Sequence, residues 1–401
     1  MRQLSWQVCF LAVYALAAAD VDTDVSGGGS RDTWSNDDET GSRAVRRLQQ
    51  GGLKVRTGHQ VQSSSLQGAV LCDDEEGAEE KIVNIDNFYR AESDNYLNKY
   101  VNDGALGEFQ HTRLPASVDQ QTVVRMNQDT LYSGAVVDLG AGPVTVIFPE
   151  PDDRYVTLHL VSQDMDSFPH IYDPGEHVFT KEDVGTRYVA LLLRVFMNEH
   201  NKSDIEAANR VQDGFKIQQE SKGCWKMPAW SQSDLTSIRK SLVMQFEKTV
   251  TPLSAMFGMR KDMDRLSHLL GTANGWGANQ AVDSTFVSVT PKANDGSKSY
   301  TLRIKDVPLD YDRHGFWSVT VYNASGYMEP NKRGINSYNH VTAKHQKDGE
   351  YVLYFGDCSK SERGAGNCID IMPGWNYCVL LYVPLPPLLN GSWRFPEAVM
   401  D

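Results

Sequence analysis

Beyond residue 81 the chain is written in short apolar and β-branched runs bounded by turn clusters, and nowhere does strand alternate with helix. Runs at 134–139, 144–148, 155–161 and 188–196 are separated by clusters such as Gly140-Ala141-Gly142-Pro143 and Pro151-Asp152-Asp153. A second series stands at 286–289, 300–304, 317–322, 351–355 and 379–383. Strands of this length with turns between them predict sandwiches or barrels, and the missing βαβ rhythm excludes a doubly wound nucleotide fold. Between the series the period changes to that of helices. Ile205, Ala208, Val211 and Phe215 share a face behind a Ser203/Glu206 capping box, and 234–250 repeats the pattern. A third helix is predicted at 262–270 with Gly271 as its stop, and an amphipathic helix at 82–100 opens the folded part. The turn Asn323-Ala324-Ser325-Gly326 predicts a hairpin between 317–322 and a strand starting at Tyr327. The fold class expected is therefore mainly β: two β-sandwich or jelly-roll-like lobes joined by a helical segment, after a disordered N-terminal tail.

The tail reading rests on composition. Residues 20–80 hold 13 acidic and 6 basic side chains and one aromatic, Trp34, too little apolar surface to offset the entropy of ordering. Before it stand Arg2, an apolar run at 4–16 and Ala17-Ala18-Ala19, the layout of a secretory signal peptide cut after Ala19. No later stretch is apolar for long enough to span a bilayer, and the net charge of −13 argues against nucleic acid or an anionic membrane as partner. The domain boundaries expected are 1–19 signal peptide, 20–80 acidic tail, 81–200 first β-rich domain, 201–271 helical connector and 272–401 second β-rich domain. In a secreted chain Cys358 and Cys368, which bracket a short Gly- and charge-rich loop, read as a local disulfide, and Cys378 as a buried strand residue. Asn201, Asn323 and Asn390 head N-glycosylation sequons at turns. The tail also carries Arg46-Arg47-Leu48-Gln49, which reads equally as a processing site, an imperfect host-entry signal or plain linker.

Several long blocks carry a resemblance. Arg125-Met126-Asn127-Gln128-Asp129-Thr130-Leu131-Tyr132-Ser133 resembles the opening signature of the domain of unknown function 1254, and Val184-Gly185-Thr186-Arg187-Tyr188-Val189 and Val211-Gln212-Asp213 match its later blocks. Asn274-Gly275-Trp276-Gly277, the run from Gly315 to Asn323, Met372-Pro373-Gly374-Trp375-Asn376-Tyr377 and the closing run from Gly391 to Pro396 resemble its usual partner, the domain of unknown function 1214. The resemblance implies two β-rich lobes and a secreted or periplasmic protein. It attaches no chemistry, so it supplies no functional residues. One departure is Asp164-Met165-Asp166, where many relatives have an acidic-His-Tyr run.

The densest polar cluster of the folded part is that same 125–133 block. On an extended segment Arg125, Asn127 and Asp129 would share a face, and with Tyr132 they form the candidate catalytic set for a carboxylate or carbonyl ligand. The competing account puts Arg125 in a structural ion network and Asp129 in a turn. His159, Asp164, Asp166 and His170 could ligate a divalent ion, at a spacing that fits no established motif, so metal and cofactor stay unknown. Ser133 is the sole nucleophile candidate inside a family block. Trp276, Trp317, Trp375 and Trp393 suit either an apolar pocket or the cores. Domain junctions commonly hold pockets, so the leading expectation is a small-molecule cleft between the lobes serving a hydrolase or lyase. The alternative is a secreted interaction protein or host-directed effector, with the lobes as scaffold and a protein as partner.

Overall fold

The structure, a computed structural model, describes Cys72 and residues 79–121, 124–249, 251, 253–359 and 366–401. The signal peptide, most of the acidic tail and the Arg46–Gln49 run lie outside the described residues.

The first lobe holds seven strands: β1 Gln110–His111, β2 Thr130–Asp138, β3 Val144–Phe148, β4 Val156–Ser162, β5 Gly175–Phe179, β6 Tyr188–Phe196 and β7 Lys216–Gln218. They form one sheet ordered β1-β2-β6-β4 and a smaller one ordered β5-β3-β7. Side chains alternate across a strand, so Leu131, Ala135 and Val137 of β2 share a face with Leu191 and Leu193 of β6 and Leu158 and Leu160 of β4. That face meets Val144, Val146 and Phe148 of the small sheet and Ala208, Val211 and Phe215 in one core.

The helical stretch divides. Helix α3 (Lys202–Gly214) and β7 complete the first sandwich, whereas α1 (Phe88–Asn102), α4 (Gln232–Phe246) and α5 (Arg265–Gly275) form a separate layer. That layer covers one end of the first sheet's other face, over Val136, Val161, Ala190 and Leu192. Three local expectations change. The cap of α3 is Asn201, whose Oδ1 accepts from the amides of Ser203 and Asp204, since the chain turns into the helix two residues before Ser203. Ile85 precedes α1 and is exposed. Gly271 is not a stop: α5 runs past it, and a Cβ there would meet the Met256 carbonyl oxygen at 2.4 Å. The residue is glycine because backbone passes close by.

The second lobe comprises β8 Ser284–Val289, β9 Tyr300–Ile304, β10 Trp317–Tyr322, β11 Ser337–Asn339, β12 Tyr351–Gly356, β13 Asn367–Asp370, β14 Asn376–Tyr382 and β15 Val399–Met400. Two four-stranded sheets, β11-β10-β14-β8 and β13-β12-β9-β15, close on Val319, Val321, Val379, Leu381, Leu302, Leu353 and Phe355. Trp317 and Trp375 are buried in this core and Trp393 packs on its margin, while Trp276 stacks on Tyr96 in the helical layer at 4.7 Å. The tryptophans thus serve two cores. The turn at 323–326 forms, with Gly326 N donating to Asn323 O at 3.0 Å, but no strand starts at Tyr327. The antiparallel neighbour of β10 on that side is β11, reached after a longer loop.

Cys358 and Cys368 are bonded, with their Cα atoms 5.8 Å apart. A second disulfide, Cys72–Cys224, fastens the segment before the first lobe to the loop after β7. Periodicity carries no trace of that pair.

Candidate functional site

Each lobe turns one sheet toward the other. On the second lobe the inward residues of β10 and β14 are aliphatic or aromatic. The alternate set, facing the first lobe, includes Ser318, Thr320 and Tyr382 beside Ser284, Ser337 and Asn339. On the first lobe the part of the sheet left uncovered by helices presents Thr130, Tyr132, Thr157, His159 and Arg194. Met126, Tyr155, Phe196, Phe316, Tyr322, Leu380 and Tyr382 pack as an apolar patch between the two. All of these groups are buried except Tyr132, which is half-buried. Layers that meet for stability alone do so through apolar faces, so a buried junction this polar needs a reason.

The 125–133 block lies along this seam. It does not begin as a strand: Arg125 sits in a turn at φ 58°, and β2 starts at Thr130. Hence Arg125, Asn127 and Asp129 do not share an extended face. Arg125 Nη1 donates to Asn376 Oδ1 at 2.7 Å, and its guanidinium lies 5.3 Å from the Tyr322 ring centre. Asp129 Oδ1 accepts from Asn339 Nδ2 at 3.0 Å. Asn127 Nδ2 donates to the Tyr132 hydroxyl at 2.8 Å, which leaves that hydroxyl's own proton to give elsewhere. Burial pushes the Asp129 carboxyl up, with Ser318 and Asn339 opposing.

Beside Tyr132 stands Arg194. The register places it opposite Tyr132 on one side and Thr157 on the other, with its guanidinium 5.9 Å from the Tyr132 ring centre. It is 1 % exposed, and none of its three nitrogens has a hydrogen-bond partner among the described residues. Around it the Tyr382 hydroxyl, Ser284 Oγ and His159 Nδ1 are likewise without one, whereas Tyr155 interacts with Thr157 and His170 with Asn279. Arg194 charge acts on His159, His170, Tyr155, Tyr382 and Asp283. Burial first, and that charge second, hold the His159 imidazole well below its usual range. His170, whose ring centre is 4.4 Å from that of His159, is lowered by burial, by His159 and by Arg194. Asp283 accepts from the Tyr172 hydroxyl at 2.9 Å and the His170 amide at 3.3 Å, and burial raises it. A cation, neutral imidazoles and hydroxyls gathered out of water can bind an anion and move a proton.

The other sequence candidates disperse. Asp164 pairs with Arg90 and Arg260, and Asp166 accepts from the Arg260 amide, so the carboxylates leave the two histidines. Among the described residues no three His, Cys, Asp or Glu side chains come together to hold a metal. Ser133 lies in β2 with its Oγ 2.7 Å from His111 Nδ1 and 2.9 Å from Gln212 Nε2, on the opposite face of the sheet from Arg194. Arg194 itself went unread, although a signal existed: it is the one charge in the apolar run 188–196.

Two family profiles match the chain, the protein of unknown function DUF1254 over residues 106–219 and the protein of unknown function DUF1214 over residues 284–386. The chain carries both domains in tandem. The DUF1254 match covers the first sandwich with α3 and β7, and the DUF1214 match runs from β8 into α6 (Pro386–Leu389). Arg194 belongs to the former, Tyr382 and Asn339 to the latter. The VPA0106 protein of Vibrio parahaemolyticus has a similar fold, with a TM-score of 0.61 at 18% identity, over 80% of this chain and 100% of that one. An uncharacterised protein from Burkholderia cenocepacia aligns with a TM-score of 0.43 at 13% identity, over 78% of this chain and 87% of its own. No curated protein matches.

Proposed function

We propose that the seam between the DUF1254 and DUF1214 lobes binds a small organic anion through Arg194, and that the protein is a secreted small-molecule enzyme of lyase or hydrolase type. One observation carries this reading: a guanidinium buried from water with no partner among the described residues on any nitrogen. An uncompensated buried charge is costly, and a carboxylate is the partner its planar fork suits. Neutral imidazoles beside it suit proton transfer and so favour lyase chemistry. Tyr132 joins Arg194 from the sequence-derived set, Asn127 orients the Tyr132 hydroxyl, and Arg125 and Asp129 brace the wall from which both project. The inward aim of the unbonded groups favours a small ligand over a protein partner, which would need them at the surface.

Secretion is supported by two disulfides and by the absence, among the described residues, of any helix long and apolar enough to cross a membrane. N-terminal sequencing of exported material should begin at or shortly after Asp20. Glycans are proposed at Asn201 and Asn390, which are exposed, more readily than at Asn323, whose Nδ2 donates to Glu329.

The anion reading is tested by Arg194→Met. Removing an unpaired buried charge should raise the ligand-free melting temperature and abolish any stabilisation by malonate, pyruvate or lactate. A fall in melting temperature would make Arg194 a scaffold residue and sink the proposal.

A further inference from the structure

The hydrogen bonds of Ser167 fix the tautomer of His159. Ser167 Oγ gives its single proton to the Ala278 carbonyl at 3.1 Å, so at 2.9 Å from His159 Nε2 it can only accept. His159 therefore carries its proton on Nε2 and bears a bare lone pair on Nδ1, which is buried and unbonded. We propose that the organic acid reaches this site together with a proton, which His159 takes on Nδ1, and that the ligand class is acids with a second oxygen function, hydroxyl, carbonyl or carboxylate, next to the carboxylate. This rests on the Arg194 reading and deepens it.

The argument is one of charge and register. Thr157 is the cross-strand partner of Arg194, so His159, two positions along β4, occupies the next place on the same face. Before the anion binds, the Arg194 charge opposes a second cation on His159 or His170. A carboxylate seated on Arg194 cancels that opposition, and the lone pair on Nδ1 becomes a place for a proton. The groups gathered around Arg194 and the two histidines are Tyr132 from β2, Tyr155 and Thr157 at β4, Tyr172 and Asn279 from the loops, and Asp283 and Tyr382 from the second lobe. The one carboxylate in Arg194's field on that side, Asp283, already accepts from Tyr172 and from the His170 amide. An Nδ1–H formed on binding thus turns to the ligand, and a second oxygen is what would accept it. For a monoanion such as pyruvate or lactate the balance is simple: one anion and one proton leave solvent, the anion for the guanidinium and the proton for Nδ1, and the net charge of the site is unchanged.

Isothermal titration of malonate, pyruvate and lactate into the full chain tests this, in Tris and in triethanolamine. These cationic buffers differ in ionisation enthalpy and do not compete for Arg194. Uptake of about one proton per ligand is expected, with affinity falling up to about tenfold per pH unit above neutrality. Acetate, lacking the second oxygen, should bind more weakly and without uptake. His159→Gln, whose amide can still donate to Ser167, should remove both the uptake and the pH dependence. Binding by wild type without uptake, or uptake persisting in His159→Gln, would overturn the proton partnership and leave the anion site standing. No binding by any probe, together with a destabilised Arg194→Met, would overturn both.

Discussion

Asn339 Nδ2 donates to Asp129 Oδ1 at 3.0 Å, joining two buried side chains that lie 210 residues apart and on different lobes. Arg125 makes another such bond, to Asn376. The two differ in what replacement does. Asp129→Asn keeps an acceptor of the same shape and relieves a carboxyl that burial disfavours when charged, so its stability should stay close to wild type. Arg125→Ala strands the Asn376 carbonyl oxygen and removes the contact with Tyr322, and should cost about 2–3 kcal/mol. Urea denaturation separates them. An undiminished Arg125→Ala would free that guanidinium for a role toward ligand.

Glu199 gives the chain a pH-dependent weakness. Its side chain is 6 % exposed, and burial, with Asp129 nearby, pushes its carboxyl up to about 8 from an ordinary 4.5. A carboxyl raised in the folded state keeps its proton where the unfolded chain has lost it. Stability therefore declines as pH rises from about 4.5 to about 8 and is level beyond, by at most about 1.4 kcal/mol per unit. Glu199→Gln should flatten that slope in denaturation midpoints taken across the window. A slope unchanged in the variant would place its origin elsewhere.

Gly271→Ala should destabilise the protein. In an ordinary helix interior the change gains about 1 kcal/mol. Here the new methyl would press on the backbone carbonyl of Met256 at 2.4 Å, and a backbone atom cannot swing aside. A thermal melt at or above wild type would show that the 253–256 turn yields.

The two disulfides formed between described residues should appear in non-reducing peptide maps, and they should differ in worth. Cys72–Cys224 closes 152 residues and Cys358–Cys368 only 10, so chain entropy favours the former by about 2 kcal/mol. Cys224→Ser should accordingly lower the urea midpoint further than Cys368→Ser. Equal losses would mean that the unfolded chain is already held compact.

Much of the scaffold was legible because it is periodic. The alternation in 144–148, 188–196, 300–304 and 317–322 reproduces β3, β6, β9 and β10 to the residue. Strands β1, β5, β7, β11, β13 and β15 escaped because two to five residues, several of them polar, carry no readable period. The site was harder for a physical reason. Thr and Tyr raise strand propensity whether they face water, a core or a ligand, so Thr320 and Tyr382 look like any sheet residue. Their companionship with Arg194 depends on how two sheets meet, which local pattern does not encode. Of the 125–133 block, Arg125 and Asp129 lie at the seam, each with a side chain bonded to the other lobe.

The aliphatic residues of each sandwich lie between its own two sheets, whereas the residues that meet across the seam lie on outward faces. A substitution at Thr157, Ser284, Ser318 or Tyr382 therefore exchanges one side chain on a finished surface and leaves both interiors intact. The aliphatic packing of each sandwich and the polar seam thus lie on opposite sides of the same strands. Positions such as Thr157, Ser284, Thr320 and Tyr382 can therefore vary without disturbing either aliphatic interior.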